Sequence, residues 1–256
     1  MGEEKKFSAE SYYKSEIADW IVFVHGFGGS ARTWKKQIEF FAKHYNLLVL
    51  EMHKEKNNEN LNLDKVCGFI NNTLNQHNIE KAHFLSSSFS SLICLRLAVL
   101  YPERVNSLIM SGGIIKFNFK TRFLLSLAVV SKRWVNYMIL YRFFAYIILP
   151  KKNHARSRSI FIKEAKKLGY AEFCKWVDII PQTEKSLTWL DGINDEIKIL
   201  YVSGKQDYLF LKNTLKYSKK MPNSQIEIIE NCGHVCSIEQ YDRFNSIVFK
   251  YLNQTA

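Results

Sequence analysis

Short apolar runs alternate with amphipathic stretches along the chain, and that alternation predicts most of its elements. Residues 20–24, "WIVFV", form a continuous β-branched and aromatic run that stops at "HGFGGS", which reads as a buried strand followed by a glycine turn. "ARTWKKQIEFFAKHY" has apolar positions at 34, 38, 41 and 45, a helical spacing. "NLLVLEM" is the next strand, "KEKNNENLN" a polar loop, "LDKVCGFINNTLNQHN" a helix and "KAHFLS" a strand. "SLICLRLAVLYPERV" is a helix that stops near Tyr101 and Pro102, and "VNSLIMSGG" is a strand with a glycine stop. From Ile115 to about Leu190 the period is helical and no run has comparable strand quality. Strand character returns at "IKILYVSG", followed by a helix around 211–220, a strand in "SQIEIIENCGH" and a last helix, "SIEQYDRFNSIVFKYL".

Strands and helices that alternate with short connections predict an α/β fold, with a mostly parallel central sheet covered by helices on both faces. The 115–190 block reads as a helical insertion at the edge of that sheet, leaving 1–114 and 191–256 as the core. A chain of 256 residues is long enough for one such domain, and 47% hydrophobic residues with only 4 Pro exclude disorder on the scale of the whole chain.

Cysteine usage and the termini narrow the setting. Five cysteines with no Cys-x-x-Cys pair do not make a disulfide framework. Cys232 and Cys236 flank "GHV", but no second Cys/His pair stands at zinc spacing, so no metal is expected. "MGEEKKFSAESYYKSE" carries no apolar run behind its charges, which reads as no signal peptide. The chain begins Met1-Gly2, but Lys6 stands where a myristoylation pattern wants Ser or Thr. In "FLLSLAVVSKRWVNYMILYRFFAYIILP" the charges of Lys132, Arg133 and Arg142 leave no piece of the roughly 18 to 20 uncharged residues that span a bilayer. A soluble, cytoplasmic protein is expected. The net charge of +12 is concentrated between Ile115 and Leu190, where 15 Lys and Arg stand against 4 Asp and Glu. Such a segment suits an acidic carrier protein or an anionic surface, or else is a solubilising exterior. No nucleic acid is expected as partner.

In parallel sheets ligands sit at the carboxyl ends of the strands, and four of those ends carry suggestive residues. "HGFGG" follows the first strong strand, "SSSFSS" the third, and "GKQD" and "NCGH" the last two. A hydroxyl, a carboxylate and an imidazole after different strands, in the order Ser, Asp, His, are the parts of an acyl-transfer triad. Serine needs a base to take its proton, and the histidine needs a carboxylate to fix its tautomer. Each residue has a plainer reading too: serines that cap a helix, an aspartate in a turn, a buried structural histidine.

With these blocks in order the chain resembles the α/β-hydrolase fold with a helical cap. The resemblance rests on "VHGFGGSARTW" (24–34), "HFLSSSFSSLICLRLAVLYPERVNSLIMSGG" (83–113), "ILYVSGKQD" (199–207) and "NCGHVCSIEQYDRFN" (231–245). In that family the nucleophile lies in Gly-x-Ser-x-Gly on a strained strand-to-helix turn. Counting back from "YPERV" implies Ser88 as nucleophile, with Ser86 and Ser90 in place of the glycines and Ser87 and Ser90 as rival nucleophiles. The resemblance further implies Asp207 as the acid, His234 as the base, and the backbone N–H groups of Phe27 and Phe89 as oxyanion donors. His25, Gly26, Gly28 and Gly29 would shape the loop, and no cofactor is implied. "LEMHKEKNNENLN" departs from the glycine-rich turn often found there.

A rival reading takes Gly26-Phe27-Gly28-Gly29-Ser30-Ala31 as a dinucleotide-binding turn, with Glu51 as the ribose acid. It leaves the other three blocks unexplained. The aromatic and apolar residues of the 115–190 block, from Phe117 to Trp176, are expected mostly to pack the cap, the remainder lining an apolar pocket over Ser88. The expected activity is cleavage of a carboxylic ester or thioester with an apolar acyl part, on a small or carrier-linked substrate. The alternatives are an acyltransferase or cyclase that uses the same acyl-enzyme, and a non-catalytic homologue that binds a ligand or partner.

Overall fold

The six apolar runs are parallel strands of one sheet. The computed structural model describes residues 7–53 and 61–255; the Met1-Gly2 pattern and positions 54–60 of the polar loop lie outside the described residues. The strands are β2 (Trp20–Val24), β3 (Asn46–Glu51), β4 (Ala82–Ser87), β5 (Val105–Ser111), β6 (Lys198–Gly204) and β7 (Ser224–Ile229). A seventh, β1 (Ser8–Tyr12), pairs antiparallel with β3, giving the order β1-β3-β2-β4-β5-β6-β7. Its sequence, "SAESY", is too polar to announce a strand, as suits an edge.

The central strands are apolar at nearly every position because both faces are covered. Alternate side chains serve opposite sides. Val22, Val24, Leu48, Leu50, Phe84, Leu108 and Tyr201 enter one cluster with α2 (Leu63–Gln76) and α3 (Ser90–Leu100). Ile21, Phe23, Leu47, Val49, Leu85, Ile109 and Val202 enter the other, with α1 (Lys35–Phe41) and α11 (Tyr241–Thr255). Between β5 and β6 lie five helices: α4 (Phe119–Ser131), α5 (Tyr137–Ile148), α6 (Ala155–Leu168), α7 (Tyr170–Ile179) and α8 (Leu187–Leu190). Helix α9 (Leu211–Ser218) joins β6 to β7, and the short α10 (Cys236–Glu239) leads into α11.

Of the aromatic residues expected to be either packed or pocket-lining, Phe119, Phe123, Trp134 and Phe143 are instead in solvent. Among the described residues no helix is long and apolar enough to cross a membrane.

Candidate active site

The turn from β4 into α3 holds Ser88 at φ +55°, a left-handed conformation that side chains other than glycine, Asn and Asp seldom adopt. Its N–H donates to Ser111 O at 3.0 Å, which ties the turn to β5. That strain, of order 1–3 kcal/mol, persists only where the surroundings enforce it. The two serines in the glycine positions take part in the enforcement. Ser86 is fully buried and its hydroxyl donates to Ile109 O at 3.2 Å. Ser90 Oγ accepts from Ser87 N at 2.9 Å and lies 2.7 Å from Val24 O and 2.9 Å from Ser87 O, the acceptors for its proton. Their hydroxyls therefore bond to the backbone of neighbouring strands, and the turn keeps its shape without glycine.

Three groups meet at the strand ends. Ser88 Oγ lies 2.7 Å from His234 Nε2, and His234 Nδ1 lies 2.7 Å from Asp207 Oδ2. Asp207 follows β6 and is buried; its other oxygen accepts from Phe210 N at 3.2 Å. With Nδ1–H donated to the carboxylate, Nε2 is free to take the serine proton. Of the rival serines, Ser90 has its hydroxyl committed to the backbone, and the hydroxyl that reaches the imidazole is that of Ser88.

Facing Ser88 across the cleft is the loop after β2. Gly26 passes so close to the elbow that a Cβ there would lie 2.8 Å from Ser87 O. Gly26 O accepts from Gly29 N at 2.9 Å and faces His25 Nδ1 at 3.0 Å. His25 Nε2 accepts from Met52 N at 3.1 Å, so the ring is the Nδ1–H tautomer that donates to Gly26 O. Gly28 has φ +68°, and a Cβ on it would strike the hydroxyl of Tyr141. That hydroxyl donates to Phe27 O at 2.7 Å, while the two rings stack at 5.9 Å. Among the described residues, the backbone N–H groups of Phe27 and Phe89 donate to no protein acceptor. Against the dinucleotide reading, Tyr141 fills the space over Gly28. Glu51 instead accepts from Ala31 N at 3.3 Å.

Above Ser88 is a cavity of about 130 Å³. Leu124 and Leu125 of α4, Phe144, Ile147 and Ile148 of α5, and Phe161 of α6 form its apolar walls. Glu164 is the one acidic residue in the lining, and no Lys or Arg stands there among the described residues. Burial alone would raise the Glu164 carboxyl. Hydrogen bonds from Lys167 Nζ at 2.6 Å and Ser30 Oγ at 2.6 Å outweigh that and hold it below the usual carboxylate range.

Comparison with known proteins identifies the family of the fold. The model of the alpha/beta hydrolase fold family matches residues 19–241. The chain belongs to that family. Among its curated relatives are a (E)-2-((N-methylformamido)methylene)succinate hydrolase of Acinetobacter baylyi, 21% identical, and a 2-hydroxy-6-oxo-6-phenylhexa-2,4-dienoate hydrolase of Burkholderia cepacia, 22% identical. The first alignment covers 95% of this chain and 94% of the relative, the second 91% and 87%. A solved hydrolase from Oleispira antarctica superposes with a TM-score of 0.82 at 15% identity, over 97% of this chain and 95% of that one. At that identity the likeness is one of fold.

Two residues that position this α/β-hydrolase's site were not read from the sequence. Glu239 accepts from Gly233 N at 2.7 Å and from Val235 N at 3.3 Å, so one carboxylate fixes the backbone on both sides of His234. An acidic residue five positions after the histidine was the available signal. Tyr141 had none, being one aromatic among many in a helical block.

Proposed function

We propose that the protein is a serine hydrolase that cleaves a carboxylic ester or thioester whose acyl part is apolar, with 115–190 acting as a cap on the core of 1–114 and 191–256. The observation that carries the reading is the unbroken Ser88–His234–Asp207 chain of 2.7 Å contacts on a strained elbow under an apolar cavity. Ser88 Oγ attacks the carbonyl carbon as its proton passes to His234 Nε2, and Asp207 stabilises the imidazolium. The developing oxyanion takes hydrogen bonds from the N–H groups of Phe27 and Phe89. His234 then hands the proton to the leaving alkoxide or thiolate. Water, deprotonated by the same imidazole, attacks the acyl-enzyme, releases the acid and returns the proton to Ser88.

The cavity supports an uncharged acyl group over an anionic one. The two relatives named above carry carboxylate substrates in their names, whereas the described residues of this lining offer no Lys or Arg and do offer the Glu164 carboxylate. The test is intact mass after treatment with a fluorophosphonate. A single adduct on the native chain that is absent from Ser88→Ala, with ester cleavage lower by at least about 10³-fold in that variant, is the expected result. Labelling that survives the substitution would place the nucleophile elsewhere.

A further inference from the structure

We propose that the outer face of α4 docks on an anionic lipid bilayer. Phe119, Phe123, Leu127 and Val130 recur at helical spacing along it, and Trp134 continues the row just past the helix. All five are exposed, Phe119 at 84% and Trp134 at 81%. On the opposite side of the same helix Thr121 and Ala128 are buried, and Leu124 and Leu125 line the cavity. The helix is thus apolar around most of its circumference while one long strip of it faces water. A helix of that kind calls for cover that the described residues do not supply.

Charge identifies the cover. Lys120 and Arg122 flank the strip, one on each side, and Arg133 adjoins Trp134. From Arg104 to Lys163 the sequence contains no Asp or Glu. Helix α5 repeats the arrangement, with Ile139, Phe143 and Tyr146 exposed beside Arg142. A second copy is a poor fit, because a two-fold contact through this face would set Lys120, Arg122 and Arg133 against their own counterparts, and Asp178, the acid that reaches the end of α4, is taken up by Lys132. A bilayer surface satisfies both features at once. Phe and Trp side chains enter the boundary between headgroups and acyl chains, and the flanking cations meet anionic headgroups. At 13 residues α4 is far too short to span, so it would lie in the plane of the surface. The surface rests on exposure and charge and is independent of the chemistry proposed for Ser88.

The full chain would be sedimented with vesicles of phosphatidylcholine alone and of phosphatidylcholine with about 30% phosphatidylserine. Binding to the anionic vesicles at least about tenfold tighter, weakening as salt is raised, is expected. The combined variant Phe119→Ser, Phe123→Ser, Trp134→Ser, none of which lines the cavity, should lose at least about tenfold of that binding while keeping its melting temperature and fluorophosphonate labelling. Equal vesicle binding by the variant would overturn the proposal. So would a folded native chain that ignores anionic vesicles, including one that binds polyglutamate instead. A lipid-free dimer abolished by the same substitutions would also overturn it, by assigning the face to a second copy.

Discussion

Helices α3 and α4 are both apolar around most of their circumference, and they have opposite fates. In α3 ("SSLICLRLAVL") Leu92, Ile93, Cys94, Leu95, Leu97 and Ala98 are all buried, because the sheet lies on one side and α2 and α8 on the others. In α4 ("FKTRFLLSLAVVS") only Thr121 and Ala128 are buried. Its inner side chains border a cavity and its outer ones face water. The starts of the two helices differ as well. Asn118 caps α4, its Oδ1 accepting from Thr121 N at 2.9 Å and its amide donating to Leu209 O at 2.8 Å. No side chain caps α3, which leaves the N–H of Phe89 and the positive end of the helix dipole at the Ser88 turn. Hydrophobicity thus builds a core in one helix, while in the other it lines a cavity on one side and forms an exposed strip on the other, and the uncapped helix end is the one at the Ser88 turn.

The strongest way to break this contrast is through stability. Leu95→Ala should lower the unfolding free energy by about 3 kcal/mol, since a buried leucine leaves a cavity behind. Phe123→Ala, although it removes a larger side chain, should change it by no more than about 0.5 kcal/mol. Urea titrations of the two variants decide the matter. Comparable losses would mean that the outer face of α4 is covered in the folded protein and that the contrast is false.

A smaller effect is expected where the helical segment grips the core. The Tyr141 hydroxyl of α5 holds Phe27 O, one peptide on from the plane that carries the Phe27 N–H, and so steadies the loop around that group. Burial pushes this phenol well above its ordinary pKa, so it remains a donor across the neutral range. Tyr141→Phe should cost about 1 kcal/mol of stability. It should also lower kcat about tenfold with KM little changed, as expected when a group that serves only the transition state is misplaced. A matched rise in KM with kcat intact would make Tyr141 a wall of the pocket and not a positioning residue.

The sequence carried the sheet and the three residues that meet at its strand ends, because buried strands and glycine turns leave strong local patterns. The register through "LSSSFSSL" was readable by counting back from "YPERV". What could not be read is why serine serves in place of glycine at 86 and 90. That depends on acceptors, Ile109 O and Val24 O, far away in the chain. Strand β1 was missed because an edge strand need not be apolar. The exposed residues of α4 were misassigned to a packed or pocket-lining role because helical period shows which residues share a face and not what covers it.

The gentlest test of the contrast is pH. Helix α3 is held mainly by apolar contacts, and its one titrating tie, Arg96 on Asp64 of α2, is left intact by Leu95→Ala. The helical segment is held partly by Glu164 of α6, which accepts from Ser30 on the core and from Lys167 on its own helix. Its pKa is lowered in the folded protein, so its contribution is fully present above the ordinary carboxylate range and is lost as pH falls through the folded value. Glu164→Gln should therefore melt below the native chain at neutral pH, and the gap should close as the solution is taken below about pH 4. In Leu95→Ala the deficit should stay constant over the same range. A gap for Glu164→Gln that does not change with pH would mean that the carboxylate acts there by shape alone, and both regions would then be fastened by packing.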